Sequence, residues 1–278
     1  MSQSLSKLSS DNITALNDLI LVIDELVALG KASLSKFPTD DYELLKFVFI
    51  NYLDRFTYSL DSINILLRSY EKNPNIETSI GLIIRTSLLD FMTVSYMRVH
   101  YSDISPNDNV AKEKFDEVFN SLLVDHINNT FKYVKLAKNV GFINDIEKTE
   151  TIDSLYHTYN FLFKTKIVDY DNPGESLISQ KFITSREIFI KLVSHSLTKS
   201  DAHVYDMYMY YSKYEHFGIV THFLQRQGVN VDFSAMIQSL TFVVKGLGLS
   251  MGFLSSLPDV LVSEKIQFKA LLNKFQKI

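Results

Sequence analysis

Five prolines set the frame of this chain. Pro38, Pro74, Pro106, Pro173 and Pro258 each stand between long stretches in which apolar residues recur every three or four positions. A residue with a fixed φ and no N–H does least harm at the edges of helices, so these prolines read as punctuation between helices. After Asp11-Asn12 the apolar positions are Ile13, Leu16, Leu19, Ile20, Ile23, Leu26 and Val27. A second run, from Asp40 or Asp41 to about Glu71, has Leu44, Leu45, Val48, Tyr52, Phe56, Leu60, Ile63 and Leu67. Both series trace one face of a helix.

The same period predicts helices over 76–101 and 109–140, the latter closed by Gly141, and a weaker one over 143–168. Asp169-Tyr-Asp-Asn-Pro-Gly174 is the clearest loop. Thr184-Ser-Arg-Glu187 has the spacing of a capping box and introduces a further helix. Ser200-Asp201 opens another that runs to about Gln227. Asp232 caps a run over 233–257, and Pro258-Asp259 opens the last. No segment alternates with period two between turn signals, so no sheet is expected. The expectation is an all-α fold, a single large bundle of about eight or nine helices, several of them long and antiparallel. Residues 1–11 read as a flexible tail and 12–278 as one helical domain, with 169–174 the place for any subdivision.

Composition narrows the chemistry. The chain of 278 residues has no cysteine, which excludes disulfides, thiolate metal sites and a cysteine nucleophile. Nine glycines and five prolines leave no Gly-rich phosphate loop, and neither G-x-x-x-x-G-K-[ST], G-x-G-x-x-G nor G-x-S-x-G occurs. The 28 basic and 32 acidic side chains are interspersed and sum to −4, so a DNA partner and an anionic membrane surface are not expected. Seven scattered histidines form no metal motif; Asp153 and His157 share a helix face, but a single carboxylate with a single imidazole is a poor metal site. No metal and no cofactor is expected. Lys112, Lys114, Lys132, Lys135 and Lys138 recur along the fourth helix among acidic residues and read as a solvated face.

Two stretches are apolar enough to test as membrane spans. Residues 78–97 carry only Arg85 and Asp90 as charges, and 233–257 only Lys245. A charge at the centre of a span costs about 2.5–3.5 kcal/mol on insertion scales. The expectation is buried helices of a soluble, cytoplasmic bundle with no membrane partner.

On the third helix Arg85 falls with Leu89, Met92, Tyr96 and Val99, while Asp90 falls on the opposite side with Ile83 and Val94. Both sides are apolar, so this helix is expected to be surrounded by others. A guanidinium is almost never buried alone, and something anionic or strongly accepting must meet Arg85. The best supplier is the polar-aromatic stretch from Tyr205 to Gly218, with Tyr208, Tyr211, Ser212, Tyr214, Glu215 and His216. Arg85, Asp90, Tyr211, Ser212, Tyr214, Glu215 and His216 are therefore the candidate ligand-binding residues. Three readings stand open: a structural polar network, a ligand or RNA site, and an Arg85 that reaches solvent.

At these two stretches the chain resembles the HEPN-like all-helical domains of bacteria, with a degenerate Arg-x4-His motif. In active HEPN ribonucleases an Arg and a His four to six residues later lie on one helix, meet their copies across a dimer interface and cleave RNA without metal. Here Arg85-Thr-Ser-Leu-Leu-Asp90 supplies the Arg and puts an acid where the shortest spacing would put His. Tyr211-Ser-Lys-Tyr-Glu-His216 supplies an imidazole from another helix. The expectation is a non-catalytic interaction or ligand-binding module, homodimeric through the same helices, with a protein or RNA as partner. The alternative is a metal-independent HEPN-type ribonuclease in phage defence or a toxin system, with Arg85 and His216 as its catalytic residues.

Overall fold

The computed structural model describes residues 7–38, 43–102, 109–178, 183–212, 228–255 and 261–278. Among them are nine α-helices: α1 (Ser10–Leu34), α2 (Leu44–Leu67), α3 (Glu77–Ser102), α4 (Asn109–Asn139), α5 (Asp145–Thr158), α6 (Ser185–Ser194), α7 (Val204–Ser212), α8 (Val229–Leu254) and α9 (Val262–Phe275). No strand occurs among the described residues, and Phe163 and Leu177 form an isolated antiparallel bridge. The all-α expectation holds.

Local chemistry sets the helix ends. Ser9 caps α1, its hydroxyl accepting from the Asn12 N–H. The capping box before α6 forms as the spacing predicts: Thr184 Oγ1 accepts from the Glu187 N–H and Glu187 accepts from the Thr184 N–H. Elsewhere the boundaries move. The weak run over 143–168 is helical only to Thr158, because Tyr159 leaves helical φ/ψ and a short 3-10 turn follows at Asn160–Leu162. Lys199–Asp201 is a separate 3-10 turn, and α7 begins after it at Val204. Asp232 does not cap α8: Gly228, at φ +112°, stands at the N-cap. Asp232 instead lies buried in the first turn and accepts from the Tyr210 hydroxyl.

The chain forms two compact units. The first comprises Met1–Tyr96 with Phe189–Ile278, and the second Met97–Ile188. Their boundaries fall inside α3 and α6, and the 169–174 loop lies inside the second unit.

In the first unit α1 packs on α2 and α9, and α8 packs on α2 and α9. Leu19, Ile23, Leu26, Leu53, Phe56, Leu60, Leu240, Val243 and Leu247 are fully buried between them. Small residues bring the helices close. A methyl group added at Gly246 would overlap the Phe56 ring, and one at Gly30 would overlap the Thr57 side chain. Ion pairs Lys31–Asp61, Asp24–Arg68 and Glu25–Lys274 cross the rim of the same helices; exposed as they are, each contributes about 0–1 kcal/mol.

In the second unit α4 packs on α5. Helix α4 ends in a Schellman motif: Gly141 takes φ +78°, its N–H donates to the Lys138 carbonyl, and the Phe142 N–H reaches back to the Ala137 carbonyl. Asn144 and Glu147 then form a capping box that starts α5. The loop after α5 is tied back onto it. The Tyr170 hydroxyl donates to Asp153 at 2.6 Å, and the buried Lys148 pairs with Asp171 at 2.6 Å. The Lys148 ammonium holds the Asp171 carboxyl below the ordinary carboxylate range. A depressed folded pKa adds stability above the unfolded pKa and loses it as pH falls through the folded value. Asp171→Asn is therefore expected to flatten part of the acid-side loss in thermal melts between about pH 3 and 5.

Candidate functional site

Helix α3 is enclosed on both sides, as its sequence predicts: Ile80, Ile84, Leu88, Phe91, Met92 and Val94 are all buried. Arg85 and Asp90, the two charges in its middle, point to different helices. Arg85, half-buried, meets α7. Its Nε donates to Ser212 Oγ at 3.2 Å and its Nη2 to the Tyr208 hydroxyl at 3.4 Å. The guanidinium carbon also stands 5.2 Å from the centre of the Tyr208 ring, within cation–π range.

The protons on these hydroxyls are constrained. Ser212 is one turn after Tyr208, and its hydroxyl donates to the Tyr208 carbonyl at 2.8 Å. A serine hydroxyl has one proton, so Ser212 faces Arg85 as an acceptor. The Tyr208 oxygen accepts from Arg85 and keeps its own proton to donate. Guanidinium N–H groups beside a phenolic O–H form a donor set suited to an oxyanion. Aromatic rings back the site: Tyr205 lies 6.2 Å from Tyr208 and stacks on Phe189 at 4.5 Å.

Beneath this surface α7 is fixed to α8. Tyr211 is buried against Ser239, and burial pushes its phenol well above the ordinary tyrosine range. It anchors α7 as a neutral phenol. Tyr210 donates to the buried Asp232 at 3.3 Å.

Asp90 does not join Arg85. It is 9% exposed and receives a bidentate pair from Arg55 of α2, Nε at 2.9 Å and Nη2 at 3.0 Å. Burial pushes its carboxyl above the ordinary carboxylate range, and the Arg55 charge pulls the other way. Tyr52, one turn before Arg55, shares this pocket; burial and the nearby Asp90 charge push its phenol up. Of the sequence-predicted residues, then, the structure brings together Arg85 and Ser212, adds Tyr208, places Tyr211 beneath them and sets Asp90 apart. Tyr214, Glu215 and His216 lie outside the described residues. Sequence reasoning missed Arg55, although a buried Asp90 demands a cation and α2 carries only Lys46 and Arg55.

Asp153, which shares a face with His157, accepts from Tyr170. Among the described residues no group of three or more His, Asp and Glu could hold a metal ion. Two helices are long and apolar enough to cross a membrane by length and composition, Pro74–Tyr101 and Val229–Leu254, and more than half of each apolar window is buried within the protein. Charges in the middle of these helices are met by other elements: Arg85 by α7, Asp90 by α2, and Lys245 by Asp201.

No protein-family profile, no curated protein and no solved structure matches this chain.

Proposed function

We propose that the protein is a cytoplasmic, non-catalytic binding module whose Arg85–Tyr208–Ser212 cluster recognises an anionic group on a ligand or on RNA. One observation carries the reading. The acid at the position where a HEPN ribonuclease has its histidine is turned away from Arg85 and held in a bidentate pair by Arg55. An aspartate so placed cannot pass protons at the Arg85 site. The site keeps the donors that bind an oxyanion without a proton shuttle from its own helix. The partners met by Arg85, Asp90 and Lys245 support folded core helices over membrane spans.

The test is direct. Wild-type protein incubated with total RNA in EDTA is expected to leave the RNA intact. The same protein is expected to bind a short single-stranded RNA or pyrophosphate, with Arg85→Ala weakening that binding about 10–100-fold. Metal-independent cleavage that disappears in Arg85→Ala would establish the ribonuclease alternative. Equal binding by wild type and variant would remove the site.

A further inference from the structure

The end of α4 carries an apolar stripe that is exposed among the described residues of its unit. Tyr133, Leu136 and Val140 are 67%, 59% and 56% exposed, at i, i+3 and i+7, the spacing of a coiled-coil seam. Phe142, just past the Gly141 turn, is 82% exposed, and Ile146 in the first turn of α5 is 69% exposed. The position of Phe142 is unusual for its motif. The second residue past a helix end in a Schellman motif commonly folds back onto the last turn; here Ala137 offers it only a buried methyl group, and the ring stays in water.

We infer that this stripe is the interface between two copies of the chain, packed with their α4 helices antiparallel. Area is the first argument. The five side chains expose on the order of 500 Å² of apolar surface, taking about 150–250 Å² for a whole aromatic residue. A standard interface buries about 800 Å² per partner, about 65% of it apolar in homodimers, which is roughly the same figure. The second argument is self-complementarity, which a two-fold interface requires. With the axis level with Lys138, one residue before Asn139, Leu136 faces Val140 of the second copy and Tyr133 lies beside its Phe142, so these four apolar side chains each meet another. Lys132, exposed beside the seam, comes opposite the first turn of the second copy's α5, which begins with Asp145. The placement differs from the dimer expected through the Arg85 helices, and it stands or falls independently of the binding reading above.

The absence of native cysteine gives a clean test. Wild-type protein is expected to sediment as a dimer at ~50 µM, and Leu136→Asp to raise the dissociation constant at least ~10-fold with an unchanged circular dichroism spectrum. Asn139→Cys is expected to form a covalent dimer under mild oxidation, while Thr151→Cys, exposed on α5, stays monomeric. A wild-type monomer at that concentration overturns the inference, whether or not it sediments with anionic vesicles. So does a dimer that survives Leu136→Asp and fails to cross-link through Asn139→Cys.

Discussion

Gly246→Ala is expected to lower stability by about 1–3 kcal/mol, because the added methyl overlaps the Phe56 ring and the ring has no room to retreat. Phe56→Ala alone is expected to cost about 3–5 kcal/mol, since it removes a fully buried aromatic ring from between α2 and α8. The two losses should not add. Where the ring is gone, the methyl at position 246 fills part of the hole, so the double variant should recover about 1–2 kcal/mol relative to the sum. Urea unfolding of the four proteins in the cycle measures this directly. Additive losses would show that the ring and the glycine do not share one space, and that the close approach of α2 to α8 is wrong.

That contact also marks how far the sequence can be read. The period of the apolar residues and the spacing of the prolines place most of the described helices to within a few residues, because both signals are local, while the weak run over 143–168 overshoots the end of α5 at Thr158 by ten residues. The Thr184–Glu187 box is legible for the same reason. The enclosure of α3 follows from apolar residues on both of its sides. Partnership is a different matter. Arg55 and Asp90 are 35 positions apart, and Arg85 and Ser212 are 127 apart. No pattern within a helix encodes which neighbour a side chain will meet. The wheel of α3 separates Arg85 from Asp90 correctly, yet assigning both to one site overlooks what that separation implies: two charges on opposite faces of a surrounded helix answer to two different helices. The division into two units is equally hidden, because its boundaries fall within α3 and α6, where the periodicity continues without a break.

The Arg55–Asp90 pair has a pH signature that distinguishes an electrostatic role from simple packing. Asp90 titrates above its unfolded value in the folded protein, because burial outweighs the help from Arg55. The folded state therefore holds this proton more tightly, and the ionised carboxylate opposes folding at neutral pH. That opposition fades as pH falls through the folded pKa toward the unfolded one. Arg55→Ala removes the only cation shown pairing with Asp90 among the described residues and leaves the carboxylate buried. Losing one partner of a fully buried pair costs about 3–5 kcal/mol. Arg55 is itself half exposed, so about 1–3 kcal/mol is the expected loss at pH 7. Near pH ~4 the carboxyl takes up a proton in both states, and the loss should shrink toward that of the missing side-chain packing alone. Asp90→Asn, added to Arg55→Ala, removes the buried charge and should restore stability at pH 7 while changing little near pH ~4. Chemical denaturation of the wild type, Arg55→Ala and the double variant at both pH values provides the measurement. A loss in Arg55→Ala that is equal at the two pH values would mean that Arg55 acts through its aliphatic stem, and that Asp90 is not the charge it serves.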